Sequence, residues 1–94
     1  MPETPVLYYL HTFQTVAREH SFTRAGHELN LSQPAVSAHI RALERYYGVR
    51  LFETRQRRTH LTPSGAALLA YTNRAAPEGV RWVRRWRVSN SRTP

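Results

Sequence analysis

The sequence predicts a small, mainly helical domain in which three helices are followed by a two-stranded hairpin and a fourth helix. Three observations support this fold class. Apolar residues recur at helical spacing through the first half of the chain. Residues 32–48 carry a full set of helix start and stop signals. After Gly48 the pattern becomes that of short strands, until Thr62 and Pro63 open another helix.

The first helix is predicted from about Pro5 to Glu19, after a short arm of residues 1–5. Five apolar residues of this segment fall on one side and are assigned to the core: Leu7, Leu10, Phe13, Val16 and Ala17.

A second, shorter helix is predicted over residues 21–29. Ser21 or Thr23 is its N-cap, because a hydroxyl can accept a hydrogen bond from an early helical N–H. Asn30 suits the left-handed conformation that ends many helices. Gly26 costs up to about 1 kcal/mol relative to alanine inside a helix, which close packing of two helices would offset. The inward residues are Phe22, Ala25 and Leu29.

The third helix, residues 33–47, has marked ends and two different faces. Ser32 is its N-cap, Pro34 lies in the first turn, and Gly48 closes it. One face is apolar and holds Val36, Ile40, Leu43 and Tyr47. The opposite face holds Pro34, Ser37, Ala38, Arg41 and Arg45. Small and cationic groups suit a helix laid into the DNA major groove, and a solvated face is the alternative.

The neighbouring segments favour the DNA interpretation. Two short helices, a break at Asn30-Leu31 and a capped third helix form a helix-turn-helix pattern. Strands are predicted at Val49–Glu53 and Thr59–Leu61, with the cationic segment 54–58 as the tip of a wing. Its arginines would enter the minor groove or hold phosphates. The alternative is an exposed loop whose arginines only maintain solubility.

A fourth helix starts with Thr62 as its cap and Pro63 at its first position. Residues 66–71 are more apolar than one face of a single domain can cover. We therefore predict a homodimer formed through the helix of residues 62–76.

The charge distribution points to an anionic partner, since the net charge is +8 and the pI is about 11.3. Residues 1–76 hold nine Arg and five Glu, and residues 77–94 hold five Arg and one Glu, so each part carries +4. In the basic tail of residues 77–94, Trp82, Val83 and Trp86 could form one face of a short helix that binds nucleic acid or an acidic surface. A disordered end without a role is an equal alternative.

Catalytic and metal-binding patterns are missing from the sequence, so neither an enzyme nor a cofactor is expected. Cysteine is absent, and the five histidines share no metal-ligand spacing. His39 has two interpretations, a contact to DNA and a plain surface histidine, of which the second is favoured. The apolar run of residues 6–10 is too short for a signal peptide or a membrane span, which predicts a cytoplasmic, nucleoid-associated protein.

Five ordered blocks carry a family resemblance: Ser21-Phe22-Thr23-Arg24-Ala25, residues 31–37, Arg41-Ala42-Leu43-Glu44, residues 48–53 and residues 61–65. Through them, residues 5–76 resemble the N-terminal DNA-binding domain of LysR-type transcriptional regulators. The resemblance implies a winged helix-turn-helix of residues 1–61, a subunit-pairing linker helix of residues 62–76, and binding to partly palindromic promoter DNA. The segment 77–94 is unlike the family.

The resemblance also implies roles for particular residues. Gln33, Pro34 and Ser37 would read bases in the major groove, while Ser21 and Thr23 would bind phosphate. The full set of predicted DNA-binding residues is Ser21, Thr23, Gln33, Pro34, Ser37, Ala38, Arg41, Arg55, Arg57 and Arg58.

The chain departs from the family at two places. Many members carry Arg where this chain has Ala38, which removes one phosphate or base contact. The family continues its linker helix into an effector-binding domain, whereas an Arg/Trp segment follows here, so these residues imply no small-molecule effector. A natural truncation, a frameshifted product and a fragment all fit this pattern.

The predicted function is sequence-specific binding of double-stranded DNA. One alternative is a dimerisation module that inhibits a full-length regulator. The other is a non-specific nucleic-acid binder that uses the basic tail.

Overall fold

A computed structural model of the chain describes residues 3–75. Its elements are α1 (Glu3–Glu19), α2 (Phe22–Leu29), α3 (Gln33–Tyr47), β1 (Phe52–Arg55), β2 (Arg58–Leu61) and α4 (Pro63–Ala75). The two strands form one antiparallel hairpin. The predicted winged helix-turn-helix fold with a following helix is confirmed. The predicted arm is wrong at residues 3–5, which are helical, and the predictions for the basic tail lie outside the described residues.

The helix ends follow local capping chemistry. The hydroxyl of Ser21 accepts a hydrogen bond from the Arg24 N–H at 3.0 Å, so Ser21 is the N-cap of α2 and the alternative, Thr23, is wrong. Ser32 accepts from the Ala35 N–H at 3.2 Å at the start of α3. Asn30 and Gly48 end α2 and α3 in the left-handed conformation, with φ of 62° and 71°.

One core lies between α1, α2, α3 and the base of the hairpin. Its members include Phe13, Val16, Ala25, Val36, Ile40, Leu43, Leu51 and Phe52. Phe52 brings the hairpin into this core, because its ring lies 5.5 Å from Phe13 and 5.6 Å from Phe22 between centroids. Tyr47, the last residue of the apolar face predicted for α3, lies outside this core. It ends α3 beyond Leu43, the last buried residue of that helix, and is 40% exposed.

The helices α2 and α3 approach each other closely at Gly26. A Cβ atom on this residue would lie 2.7 Å from the carbonyl oxygen of Leu31 and 3.6 Å from Val36 Cγ2. The same turn is closed by a hydrogen bond from the Leu31 N–H to the Gly26 carbonyl at 2.8 Å. The glycine therefore permits the short turn that fixes α3 against α2.

The hairpin starts later and turns more tightly than predicted. Phe52 pairs with Leu61 and Arg55 pairs with Arg58, which leaves Gln56 as the first of only two tip residues. Both tip residues are left-handed, with φ of 52° at Gln56 and 64° at Arg57, as in a type I′ turn. The predicted five-residue tip is wrong because strand pairing continues through polar residues that lie outside the core.

The start of α4 packs against the base of the hairpin. Thr62 Oγ1 accepts from the Gly65 N–H at 3.0 Å, which confirms Thr62 as a cap. A Cβ atom on Gly65 would overlap the carbonyl oxygen of Leu51. Further along, Leu68 and Leu69 pack against the core. Within residues 3–75, no helix is both long enough and apolar enough to cross a membrane.

Candidate nucleic-acid interface

Six of the ten predicted site residues line one concave surface between α2, α3 and the hairpin. They are Ser21, Thr23, Gln33, Ser37, Arg57 and Arg58. We call this surface the reading groove. His20, Phe22, Thr54 and Thr59 complete its lining. The fold thus brings together residues that lie up to 39 positions apart in the sequence, and it opens the concavity beside the exposed start of α3.

Two threonines that line the reading groove were not among the predicted site residues. Thr54 and Thr59 are cross-strand partners in the hairpin. Side chains alternate along a strand, so Thr54 lies on the same side as Phe52, which enters the core next to α3. The register of the hairpin would have identified them, but the sequence alone did not provide it.

The first turn of α3 presents an ordered polar pair to the reading groove. Gln33 Nε2 donates a hydrogen bond to Ser37 Oγ at 3.3 Å, which links residues one helical turn apart. Pro34 and Ala38 are exposed on the same helix, outside the lining of the groove. The groove therefore has an amide and a hydroxyl that can replace their mutual hydrogen bond with hydrogen bonds to a ligand.

Arg41 lies in an adjoining concavity. Ser37, Phe22, Thr54 and Thr59 line both surfaces, so the two are continuous along α3. Glu44, Arg50 and Glu53 line the adjoining concavity together with Arg41.

Arg55 does not join the other predicted residues. Its Nε lies 3.3 Å from Glu53 Oε2, and both residues fall on the side of β1 opposite to Thr54. Arg55 is absent from the linings of both concavities described above. The structure therefore separates it from Arg57 and Arg58.

Positive charge is left uncompensated along the groove. In the described part of the chain, ion pairs engage Arg18, Arg50 and Arg55. None of these pairs involves Arg41, Arg57 or Arg58. By contrast, Arg18 in the last turn of α1 bonds to Glu28, and this hydrogen bond lowers the pKa of the Glu28 carboxyl. The free arginines give the groove the electrostatics of an anion-binding surface.

His39 lies on another face of α3, packed against α1. Its Nδ1 is 3.0 Å from Thr12 Oγ1, and its ring stacks on Tyr9 with 4.5 Å between centroids. Tyr8 meets the ring edge-on at 5.3 Å. Burial lowers the pKa of His39. The prediction of a surface histidine is wrong, because the ring joins two helices. Among residues 3–75, no cluster of three potential metal ligands occurs.

Three packed helices, the third with an exposed polar start, and a cationic hairpin beside it define a winged helix-turn-helix protein. Residues 7–66 match the family described as bacterial regulatory helix-turn-helix proteins of the lysR family. The chain belongs to this family, as the resemblance predicted. The family is one of transcriptional regulators, not of enzymes.

Two curated relatives illustrate the match. The RuBisCO operon transcriptional regulator of Allochromatium vinosum is 44% identical over 75 residues, which is 80% of this chain and 24% of that protein. The HTH-type transcriptional regulator CitR of Bacillus subtilis is 42% identical over 66 residues, or 70% of this chain and 23% of that protein. The chain thus spans about a quarter of the length of these relatives.

Solved structures agree with the fold. The BenM_DBD/catB site 1 DNA complex aligns with a TM-score of 0.72 and 32% identity, covering 84% of this chain and 88% of that one. The CbnR_DBD-DNA complex aligns with a TM-score of 0.71 and 31% identity, covering 88% of this chain and 95% of that one. A LysR-family transcriptional regulator from Eggerthella lenta has a TM-score of 0.68 and 48% identity, covering 70% and 94%.

Proposed function

We propose that this chain binds double-stranded promoter DNA with sequence preference, with α3 in the major groove and the hairpin on the backbone or in the minor groove. The observation that carries the proposal is the reading groove, where the polar start of α3 faces Arg57 and Arg58. The similarity to two domains solved as DNA complexes supports it. Arginines supply a salt-dependent attraction that is blind to sequence, and side chains of α3 supply the preference.

Individual roles follow from position. Gln33 and Ser37, with Pro34 beside them, meet base edges, and a good Gln–adenine pair is worth about 1–3 kcal/mol. Ser21 and Thr23 at the start of α2 meet phosphate, since helix N-termini attract anions. The remaining contacts come from Ala38, Arg41, Arg57 and Arg58, of which Ala38 supplies close approach only. Arg55, which pairs with Glu53 on the other side of β1, is not among the proposed contacts.

We further propose a homodimer formed through residues 62–76. In α4, Ala66, Ala67, Ala70 and Tyr71 are exposed, and the tyrosine keeps 59% of its surface. A second copy would cover this row and would match a palindromic site by its own twofold symmetry. Sedimentation over a range of concentrations tests it, and a chain that stays monomeric at every concentration would remove this part of the proposal. We place such a dimer on nucleoid DNA in the cytoplasm.

Fluorescence anisotropy tests DNA binding. The full chain is titrated onto the duplex upstream of its own coding region and onto a scrambled duplex, at several salt concentrations. Gln33→Ala should lose discrimination between the two duplexes, with little change on scrambled DNA. Arg57→Ala with Arg58→Ala should instead lower the salt slope by about 1.8 on both duplexes. Equal affinity of the unaltered chain for both duplexes would contradict sequence preference, and an unchanged slope would remove the hairpin from the phosphate contacts.

A further inference from the structure

The connection between α3 and the hairpin is organised by one carboxylate. Glu44 Oε2 accepts a hydrogen bond from the Leu51 N–H at 2.8 Å and lies 3.7 Å from Arg50 Nε. The backbone carbonyl of Glu44 also accepts from the N–H groups of Gly48 and Val49, at 2.8 and 3.2 Å. One residue of α3 thus holds the whole connecting segment up to the base of β1.

Thr62 also holds the two residues that precede β1, Arg50 and Leu51. Its N–H donates to the Leu51 carbonyl at 3.0 Å, and its hydroxyl donates to the Arg50 carbonyl at 2.5 Å. Arg50 and Leu51 are therefore tied to α3 by Glu44 and to the start of α4 by Thr62. These bonds lie at the base of the hairpin, while the residues that line the reading groove lie towards its tip.

The position of Glu44 is unfavourable for DNA binding itself. Its carboxylate lines the same concavity as Arg41, next to the proposed phosphate contacts, where a negative charge opposes binding. Its side chain is only 17% exposed and its acceptor is used inside the protein. An acid at this place is explained by the bond it makes to the hairpin.

We propose that Glu44 is a positioning residue that sets where the wing arginines lie relative to α3. The inference rests on the proposed function, in which Arg57 and Arg58 bind phosphate. From Leu51 to Arg55 the strand extends about 13 Å, so a rotation of about 15° at the base moves the tip by about 3 Å. A charge-assisted contact of about 2.8 Å does not survive such a displacement.

The first test measures the position of the hairpin without DNA. The chain contains no cysteine, so Ala38→Cys and Thr54→Cys place two spin labels selectively, one on α3 and one on β1. Glu44→Gln keeps an acceptor for the Leu51 N–H, whereas Glu44→Ala removes it, and both lose the same charge. The distance distribution should be unchanged in the glutamine variant and broadened by about 3 Å in the alanine variant. A narrow, unshifted distribution in the alanine variant would overturn the proposal.

Two further variants control this test. Glu28→Ala removes one exposed acid of α2. Glu28 bonds to Arg18 of α1 and takes no part in holding the hairpin, so the distance should be unchanged. Glu44→Asp keeps the charge but shortens the side chain by one methylene, so it should broaden the distribution as alanine does. The aspartate variant replaces the alanine variant in this test if circular dichroism shows that the alanine variant does not fold. An aspartate variant with the unaltered distance would count against positioning.

The second test is a double-mutant cycle on duplex DNA. Glu44→Ala should weaken binding on the order of tenfold and lower the salt slope as far as Arg57→Ala with Arg58→Ala does. Added to those two changes, it should cause no further loss, because there is no longer a wing contact to misplace. Additive losses would contradict the proposal. Should the unaltered chain not bind duplex DNA at all, the proposed function fails, while the label distances still decide the role of Glu44.

Discussion

The start of α3, which the turn after α2 positions, and the hairpin line the same groove but are fixed by different means. At the turn, Gly26 lets the backbone of the connection approach α2 closely at Leu31, and Ala25 and Val36 are fully buried beside it. The hairpin enters the core only at its base, where Leu51 and Phe52 are buried and Leu61 packs against the core. Its tip residues, Gln56 and Arg57, are exposed.

The difference separates two properties of a DNA-binding surface. The base-reading start of α3 takes its position from a packed core, which resists small displacements. The arginines of the hairpin take theirs from contacts made several residues away. Substitutions near the turn and at the base should therefore change stability, and substitutions near the tip should change binding with little loss of stability.

The largest effect is expected at the base of the hairpin. Gly65→Ala should destabilise the protein by about 3 kcal/mol, because the new methyl group would overlap the Leu51 carbonyl and lie 2.9 Å from Leu61 Cδ2. Urea unfolding followed by circular dichroism measures it. Ser64→Ala, an exposed neighbour on the same helix, should stay within about 0.5 kcal/mol of the unaltered protein. Equal midpoints for the two variants would show that the base is not closely packed.

Gly26→Ala tests the turn in the same way, with a smaller expected loss of about 1–2 kcal/mol. Alanine favours the helix by about 1 kcal/mol, but its Cβ would lie 2.7 Å from the Leu31 carbonyl oxygen. The exposed Arg24→Ala on α2 is the control. A variant more stable than the original would mean that α2 and α3 do not need their close approach.

Arg57→Gly should separate stability from binding. Glycine relieves the left-handed strain of about 1–2 kcal/mol and costs about 0.5–1 kcal/mol of unfolded-chain entropy, so stability should rise slightly. The lost charge should lower the salt slope of DNA binding by about 0.9. Arg57→Ala removes the same charge but keeps the left-handed strain. It should therefore lower the salt slope by the same amount, without the gain in stability. A glycine variant that is less stable than the alanine variant would contradict this account of the tip.

The smallest effect concerns the contact between α1 and α3. Burial lowers the pKa of folded His39 below its ordinary value of 6.5. The unfolded chain therefore binds the proton more readily, and the stability from the neutral ring is complete above this value and is lost as the pH falls below it. His39→Gln should show a smaller decrease in Tm between about pH 7.5 and pH 5.5 than the unaltered protein, because the variant lacks this ring. Equal decreases would contradict a buried neutral ring.

The sequence predicted the features that depend on neighbouring residues. Ser32 and Thr62 were identified as caps because a hydroxyl and the N–H it accepts from lie three residues apart. Gly48 was identified as a helix end because glycine adopts the left-handed conformation without a Cβ clash. Helical periodicity also identified most of the core, since it depends on the spacing along one helix.

The features that were missed depend on partners far along the chain. The tip of the hairpin requires the pairing of Arg55 with Arg58, which the alternation of apolar residues does not specify. His39 was assigned to the surface because its partner, Thr12, lies 27 residues earlier on α1. The same holds for Thr54 and Thr59 in the reading groove. Most residues of the groove were predicted by other means: Ser37 from the face of its helix, the wing arginines from their charge, and the rest through the family resemblance.

The two-residue tip of the hairpin also affects how this surface can diverge. Gln56 and Arg57 are exposed and take no part in the core, and exposed loop tips tolerate insertions far better than packed segments. Homologous chains can therefore lengthen or recharge this tip without redesigning the helices. The extent of DNA that is touched outside the major groove would then evolve separately from the bases that are read within it.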